Sequence, residues 1–202
     1  MVNARLVAER HRLRLAWETV AVPAFEWQLD DQVVLRLAEC RFAEPYVTLV
    51  TANQAWLSRW EDWAEDLSHL PAAQAMFTRM LTGFADASRL PLLIVTEDQL
   101  AGYISLKIDH GQRTGSIGYW IGERFSGRGL VTRAVTAITH HGLNDLGLVR
   151  VEAPIAAGNT ASSAVVRRAG FHLDGTLRAG HLVAGAPHDL QVWSRLPTDS
   201  QI

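Results

Sequence analysis

Cysteine is almost absent from this sequence, because Cys40 is the only one among 202 residues. A single cysteine cannot close an intrachain disulfide, so nothing in the sequence requires an oxidising compartment. We expect the Cys40 side chain to be packed in the interior as a small apolar group.

Three further absences narrow the class of protein. There is no surplus of basic residues, since 19 lysines and arginines stand against 21 acidic residues, and this balance argues against a protein that chiefly binds nucleic acid. No uninterrupted apolar run approaches the ~18–20 residues of a membrane span. The charged residues in segment 1–25 leave no room for the apolar part of a signal peptide. We therefore expect a cytoplasmic protein with neither a membrane nor a nucleic-acid partner.

The composition itself is that of a soluble globular protein, with 48% hydrophobic and 20% charged residues. A length of 202 residues suits one hydrophobic core better than two. Repeats, low-complexity tracts and Ser/Gly linkers are also missing. We predict an N-terminal extension over residues 1–31 and one domain over residues 32–198.

Hydrophobic periodicity predicts an order of two helices, three strands, a helix, a strand, a helix and two strands after an initial strand. The predicted strands cover 12–15, 33–37, 92–96, 100–108, 116–121, 149–155, 171–178 and 190–196. The predicted helices cover 45–63, 71–84, 130–141 and a short segment from Asn159 to about residue 169. On the third helix we expect His141 to be packed and His140 to be solvated.

A glycine-rich turn, Gly127-Arg128-Gly129, lies between a predicted strand and an amphipathic helix. Glycines allow close backbone approach, and the free amides of a helix start attract anions, so a phosphate group fits this turn. The turn is not a P-loop, because Arg128 and Gly129 stand where lysine and Ser/Thr are required. It is not a dinucleotide fingerprint either, because the third glycine is missing.

Four segments, 117–121, 126–132, 159–162 and 168–178, together resemble the GNAT superfamily of acyl-CoA-dependent N-acyltransferases. The resemblance extends over residues 35–196 and is strongest to the RimJ/RimL-like branch, which acetylates the N-termini of ribosomal proteins. It implies an α+β, three-layer fold. In that fold a central mixed, mostly antiparallel sheet is splayed between its fourth and fifth strands and flanked by helices.

The resemblance also implies acetyl-CoA as cosubstrate, with no metal. Pantetheine would lie in the splayed sheet and the pyrophosphate on the glycine-rich turn. Ser126 and Val131 depart from the usual pattern of that turn, but neither removes a backbone donor. The implied cofactor-binding residues are Tyr119, Trp120, Ile121, Gly127, Arg128, Gly129, Leu130, Val131, Thr132 and Asn159, the last of which could equally be a plain helix cap.

Two side chains carry the chemistry that the resemblance implies. Ser162 is the expected proton donor to the leaving thiolate, unless it is only a helix-surface hydroxyl. His181 stands where the branch has a carboxylate base, and imidazole, with an ordinary pKa of about 6.5, can accept the same proton. A solvated loop histidine is the alternative for His181. Asp109 with His110 forms a rival base, and Glu97 a weaker one.

The segment 53–60 resembles a family helix that borders the acceptor groove, so we expect Trp56 or Trp60 to bind the acceptor. An α-amino group has a pKa of about 7.7–8.0, against about 10.4 for the lysine side chain. Near pH 7.5 the neutral fraction of an α-amine is therefore far larger than that of lysine, and a histidine is a strong enough base for such an acceptor.

The leading prediction is direct transfer of acetyl from acetyl-CoA to a primary amine, with the N-terminal α-amine of a protein or peptide as the favoured acceptor. A small amine such as an antibiotic or polyamine is the alternative acceptor. A non-catalytic acyl-CoA sensor and a nucleotide-phosphate binder are alternatives from other classes, and a homodimer stays open.

Overall fold

The computed structural model describes residues 25–199, so the predicted strand at 12–15 lies outside the described residues. This part of the chain contains eight strands, which are β1 (Glu26–Gln28), β2 (Val34–Leu37), β3 (Arg89–Thr96), β4 (Gln99–Asp109), β5 (Thr114–Ile121), β6 (Arg150–Ala156), β7 (His172–Val183) and β8 (Ala186–Arg195). The α-helices in the same range are α1 (Ala43–Ala52), α2 (Gln54–Leu57), α3 (Leu70–Ala85), α4 (Leu130–His140), which continues as a π-helical turn over His141–Asp145, and α5 (Thr160–Arg168).

All eight strands belong to one sheet, in the order β1-β2-β3-β4-β5-β6-β8-β7. Every neighbouring pair is antiparallel except β5 and β6, which run parallel. This is the α+β fold with a mixed, mostly antiparallel sheet that the sequence predicts. The order of elements from α3 to β8 is also the predicted one. The short strand β1, which falls in the segment 1–31, adds one strand beside β2.

Helices cover the two faces of the sheet. On one face Tyr46 of α1 meets Trp120 of β5 edge-to-face, with ring centroids 5.5 Å apart, and the Tyr103 hydroxyl of β4 lies 3.0 Å from the Met80 sulfur of α3. On the other face lies α4, whose buried residues include Leu130 and Ile138, as its apolar stripe predicts. The core is therefore split into two layers by the sheet.

The single helix predicted over 45–63 is wrong, because the helix breaks at Asn53. There the side-chain amide donates to the Leu49 carbonyl at 2.8 Å, and its oxygen accepts the Glu123 backbone N–H at 2.8 Å. Asparagine competes in this way with helical backbone bonds. After the one-turn helix α2 the chain continues through short 3₁₀ turns at Asp62–Ala64 and Asp66–Ser68.

The expected burial of Cys40 is also wrong, because this residue is exposed. It begins a 3₁₀ turn, Cys40–Phe42, in which Phe42 is the buried anchor. His140 is exposed as expected, whereas His141 is only partly buried, with its ring 5.6 Å from that of Trp27. None of the described helices has the length and apolar character needed to cross a bilayer.

Candidate active site

The sheet opens between β5 and β6. These strands pair at three positions only, Thr114–Ser116 with Arg150–Glu152, and then diverge. In segment 117–121, the backbone groups on the edge away from β4 consequently face β6 without a strand partner, and such groups require a partner when they are buried. Counted from β2, β5 and β6 are the fourth and fifth strands, where the family resemblance places the splay. A continuous cavity of about 1250 Å³ occupies this opening.

The glycine-rich turn closes one end of the cavity. Gly127 and Gly129 have φ of +74° and +75°, and a Cβ atom built on either would meet nothing within 4 Å. Gly129 is the N-cap of α4, whose first turn contains no acidic side chain. The first amides of a helix lack intrahelical partners and carry partial positive charge. The turn therefore has the space, the backbone donors and the polarity for a phosphate group.

The arginine inside this turn points elsewhere. The Arg128 guanidinium forms an ion pair with Glu97, which lies in the turn between β3 and β4. Four other arginines, Arg59, Arg89, Arg133 and Arg168, line the cavity instead. A cofactor-binding role for Arg128 would thus rest on its backbone amide, and its side chain tethers the turn to the β3–β4 hairpin.

The start of α5 forms a second wall. Asn159 caps this helix, its side-chain oxygen accepting the Ser162 backbone N–H at 3.1 Å. The Tyr119 hydroxyl donates to the Ser162 carbonyl oxygen at 3.0 Å. Burial raises the pKa of Tyr119, while its hydrogen bond to Ser162 acts in the opposite direction. A neutral, protonated Tyr119 thus holds the backbone of Ser162 beside the edge of β5.

On the opposite wall, a β-bulge aims His181 into the cavity. The register of β7 against β8 shifts between Leu177 and His181, and a bulge of this kind re-aims the side chain that follows it. Gly180 permits the bulge, since a Cβ there would lie 2.9 Å from Leu190 Cβ and 3.0 Å from Leu177 Cβ. The Asp189 carboxylate also accepts the Ala179 backbone N–H at 2.9 Å. The bulge is therefore specified by local packing and hydrogen bonding.

The contacts of His181 identify its free nitrogen. Its Nε2 lies 3.0 Å from the carbonyl oxygen of Trp60. A carbonyl oxygen can only accept, so Nε2 carries the hydrogen and donates it. In the neutral ring this leaves the lone pair on Nδ1, which makes Nδ1 the atom able to accept a proton.

Glu61 is a carboxylate in the cavity wall that the sequence reasoning missed. Its Oε2 accepts the indole N–H of Trp63 at 2.9 Å. Burial raises the pKa of Glu61, whereas the Trp63 bond and the charge of His181 lower it and Asp62 raises it. The only available signal was its position directly after Trp60, at the end of the family-like segment 53–60. Glu61 and His181 therefore line the same cavity wall, and a positive charge on the imidazole lowers the pKa of the Glu61 carboxyl.

The predicted site residues come together in this one cavity, with a single exception. The residues that line it are Trp56, Trp60, Tyr119, Trp120, Ile121, Gly127, Gly129, Leu130, Val131, Thr132, Asn159, Ser162 and His181, and the exception is Arg128. The rival bases do not line it. Asp109 accepts the Gln112 backbone N–H at 2.9 Å in the β4–β5 turn, and His110 contacts the Ala87 carbonyl at 3.1 Å.

The acceptor side of the cavity is bordered by the segment around α2. Trp56 carries the Arg59 guanidinium 5.2 Å above its ring, and the Trp60 ring lies so close to Gly158 that a Cβ there would be 3.1 Å away. Asp62 accepts the Ala184 backbone N–H at the tip of the β7–β8 hairpin. This bond and the His181 bond to Trp60 fasten the hairpin to the α2 segment across the cavity.

Comparison with known proteins agrees with this architecture. Residues 32–172 match the family model described as an acetyltransferase (GNAT) domain. The protein YdaF of Bacillus subtilis (strain 168) is 32% identical over 85% of this chain and 95% of its own length. The ribosomal-protein-serine acetyltransferase of Escherichia coli (strain K12) is 29% identical over 86% of this chain and 97% of its own length.

A solved structure extends the comparison to the fold. The microcin C7 self-immunity acetyltransferase MccE, in complex with acetyl-CoA and AMP, superposes with a TM-score of 0.79 at 25% identity, over 83% of this chain and 94% of that chain. The family match covers well over half of the sequence, and the splayed sheet and the glycine turn are where the family resemblance places them. The chain therefore belongs to the GNAT superfamily of N-acetyltransferases, in its RimJ/RimL-like branch.

Proposed function

We propose that this enzyme transfers an acetyl group from acetyl-CoA to the N-terminal α-amine of a protein or peptide. One observation carries the proposal. Ser162 and His181 stand in the wall of a single cavity whose end is closed by the Gly127–Gly129 turn. The relative named as a ribosomal-protein-serine acetyltransferase supports a protein acceptor, and the acetyl-CoA bound to MccE supports the donor.

The cavity fits acetyl-CoA in two respects. The left-handed glycines and the free amides at the start of α4 suit its pyrophosphate. The unpaired edge of β5 offers hydrogen-bonding groups to the amides of pantetheine. When bound, acetyl-CoA supplies an activated acetyl thioester. Ser162 and Asn159, at the start of α5, would border its sulfur end.

His181 serves as the general base in this proposal. As the bond between the amine nitrogen and the acetyl carbon forms, Nδ1 of His181 accepts the amine proton, while Nε2 keeps its bond to Trp60. The ring then becomes positively charged, and Glu61 stabilises that charge, as a carboxylate does beside a catalytic histidine. Glu61 also replaces, from a different element, the carboxylate that the branch has at the position of His181.

Ser162 serves as the general acid. Its hydroxyl donates a proton to the sulfur as the bond between carbon and sulfur breaks, so that the thiol leaves in neutral form. The serine oxygen then regains a proton from solvent, and His181 releases to solvent the proton that it took from the amine. The Asn159 cap and the Tyr119 hydrogen bond fix the Ser162 backbone for this step. Direct attack needs no covalent enzyme intermediate, and the exposed Cys40 has no part in it.

Mass spectrometry of peptides incubated with the enzyme and acetyl-CoA tests the proposal. We expect peptides that carry one added acetyl group on the α-amine, and we expect His181→Ala to lose at least about 10²-fold in kcat/KM. His172→Ala, an exposed histidine of the same strand outside the cavity, should retain wild-type activity. Acetylation of small amines but of no peptide would overturn the proposed acceptor. Acetyl-CoA binding without transfer to any amine would indicate a sensor.

A further inference from the structure

The acceptor side of the cavity carries positive charge that the proposed mechanism does not use. Among the described residues the cavity wall contains five cationic side chains, Arg59, Arg89, Lys107, Arg133 and Arg168, and a single carboxylate, Glu61. Arg133 is already paired with Asp30, at 3.3 Å. Arg89 and Lys107 form the cluster that calls for an explanation.

Strand register brings these two cations side by side. Arg89 of β3 is the direct partner of Lys107 of β4, and Lys107 is the direct partner of Ser116 of β5. Directly opposed residues point to the same face of a sheet, and so do residues two apart along a strand. Lys107 is the only lysine of the chain. It is exposed to the cavity, and Arg89 is half-buried.

Within the described residues, neither cation has a carboxylate within ion-pair distance. The Arg89 guanidinium lies near the Tyr103 phenol; burial raises the pKa of Tyr103, and the Ser105 hydroxyl and Arg89 lower it. A half-buried guanidinium beside a neutral phenol retains donors for an anion. Two adjacent cations of this kind repel each other and would be stabilised by one shared anion.

Their position separates these cations from the cofactor's phosphates. Both share a face with Trp120 of β5, opposite to α4, because Ser116, Gly118 and Trp120 alternate along that strand. Ser116 lies five residues before Ile121, about 16 Å at a rise of ~3.3 Å per residue, whereas the glycine turn begins just after Ile121. The floor between the two ends is open, since a Cβ on Gly118 would meet nothing within 4 Å.

The distance to the reaction centre matches a short stretch of peptide. Tyr119, which contacts Ser162 on the opposite face of the sheet, is three residues beyond Ser116, about 10 Å along the strand, and the cavity connects the two faces through the splay. An extended peptide covers this distance in about three residues. An amine placed beside Ser162 and His181 would therefore bring the second to fourth acceptor residues to Lys107 and Arg89.

We propose that Arg89 and Lys107 select acceptors that carry an aspartate or glutamate within the first few residues after the reacting amine. The inference rests on the proposed function, since it takes the acceptor to be a peptide N-terminus. The carboxylate lies between the two cations and accepts hydrogen bonds from both. Gly118 leaves the floor free for the intervening peptide backbone.

Matched peptides test this selectivity. Each is a variant of a peptide that begins Ser-Ala-Ala-Ala, with Asp, Asn or Lys replacing the residue at position two, three or four, and kcat/KM is measured with saturating acetyl-CoA. For at least one position the Asp peptide should be favoured by about tenfold, the effect typical of one charge-assisted hydrogen bond. Lys107→Gln should reduce that preference to about twofold or less, and Lys107→Glu should reverse it in favour of a Lys peptide. Arg79→Gln, which removes an exposed charge of α3 outside the cavity, is the control and should leave the preference unchanged.

The outcomes separate the two proposals. Equal kcat/KM for every Asp and Asn pair in the wild type, with clear acetylation of both, would overturn the acidic preference and leave the acetyl transfer intact. A preference that survives unchanged in folded Lys107→Gln and Lys107→Glu proteins would also overturn it. Failure to acetylate any peptide would instead contradict the proposed function. Folding of each variant is checked by the thermal shift that acetyl-CoA produces.

Discussion

Ser162 is held by its backbone, so that its hydroxyl is free to act. Its N–H and its carbonyl are both engaged, by Asn159 and Tyr119, and the residue lines the cavity. Removal of the hydroxyl should therefore disturb the chemistry more than the local structure.

We expect Ser162→Ala to lower kcat by about 10²–10⁴-fold, the usual contribution of a positioned proton donor, and to leave the KM for acetyl-CoA within about threefold. Steady-state kinetics with a peptide acceptor measures both constants. Ser163→Ala is a matched control, because the neighbouring hydroxyl bonds Gln191 at 3.0 Å and does not line the cavity. A kcat within twofold of the wild-type value in Ser162→Ala would exclude the role.

The ionisation of Glu61 should make the stability of the protein depend on pH. Burial raises its pKa above the value in the unfolded chain, so the folded state binds its proton more tightly. Stability due to this group is then fully present below the unfolded pKa and is lost as pH rises through the folded pKa.

Glu61→Gln should therefore gain stability relative to the wild type as pH rises above about 4.3, the ordinary pKa of glutamate. Urea unfolding at several pH values between 4 and 8 measures the difference in the free energy of unfolding. Glu65→Gln, an exposed carboxylate on the same segment, should show no comparable trend. If the stability of Glu61→Gln relative to the wild type instead fell as the pH rises, Glu61 would be stabilised as a carboxylate, contrary to the effect of its burial.

At the scale of elements, the junction between β5 and α4 is the feature on which donor binding depends. Gly129 ends the glycine turn in a left-handed conformation and begins the helix. A glutamate there would add bulk and negative charge at the proposed pyrophosphate position.

We expect Gly129→Glu to weaken acetyl-CoA binding by at least about tenfold, since one lost charge-assisted contact already contributes that much. Gly185→Glu is the matched control, because Gly185 has φ of +74°, has nothing within 4 Å of a built Cβ and lies outside the cavity. Both variants carry the same left-handed strain of about 1–3 kcal/mol. Isothermal titration with CoA compares them, and equal affinities would contradict the assigned phosphate site.

For the whole molecule, the sheet consists of two parts joined weakly at the splay. The strands β1 to β5 and the strands β6 to β8 share only three paired positions, between β5 and β6. A ligand in the opening would contact both parts and bind only the folded state.

Acetyl-CoA at 100 times its Kd should raise the free energy of unfolding by about 2.7 kcal/mol, and each kcal/mol should raise Tm by about 2–4 °C for a chain of this size. Differential scanning fluorimetry measures the shift. ATP at the same concentration should give a much smaller shift, since it has no pantetheine arm to fill the opening. Equal shifts with ATP and acetyl-CoA would favour a nucleotide-phosphate binder.

Local signals in the sequence were sufficient for most of the architecture. Short runs of apolar and β-branched residues predict the central strands, and the stripe on α4 predicts its buried face. Asn159 is recognisable as a cap because its side chain bonds the backbone three residues on. The glycine turn was equally visible, because left-handed backbone favours glycine whatever surrounds it. These features depend on residues that are close in the chain.

Contacts between residues that are distant in the chain determine the helix break at Asn53 and the polar contacts of the site. Asn53 breaks the predicted helix because its partner is Glu123, 70 positions away. Arg128 turns from the predicted phosphate site toward Glu97, and the nitrogen that His181 leaves free depends on the Trp60 carbonyl. Glu61 enters the site only because the β7–β8 hairpin folds back over the segment after α2. Arg89 and Lys107 become neighbours only through strand register. Hydrophobic periodicity reports which face of an element is buried, but only the folded chain determines which distant polar group meets which.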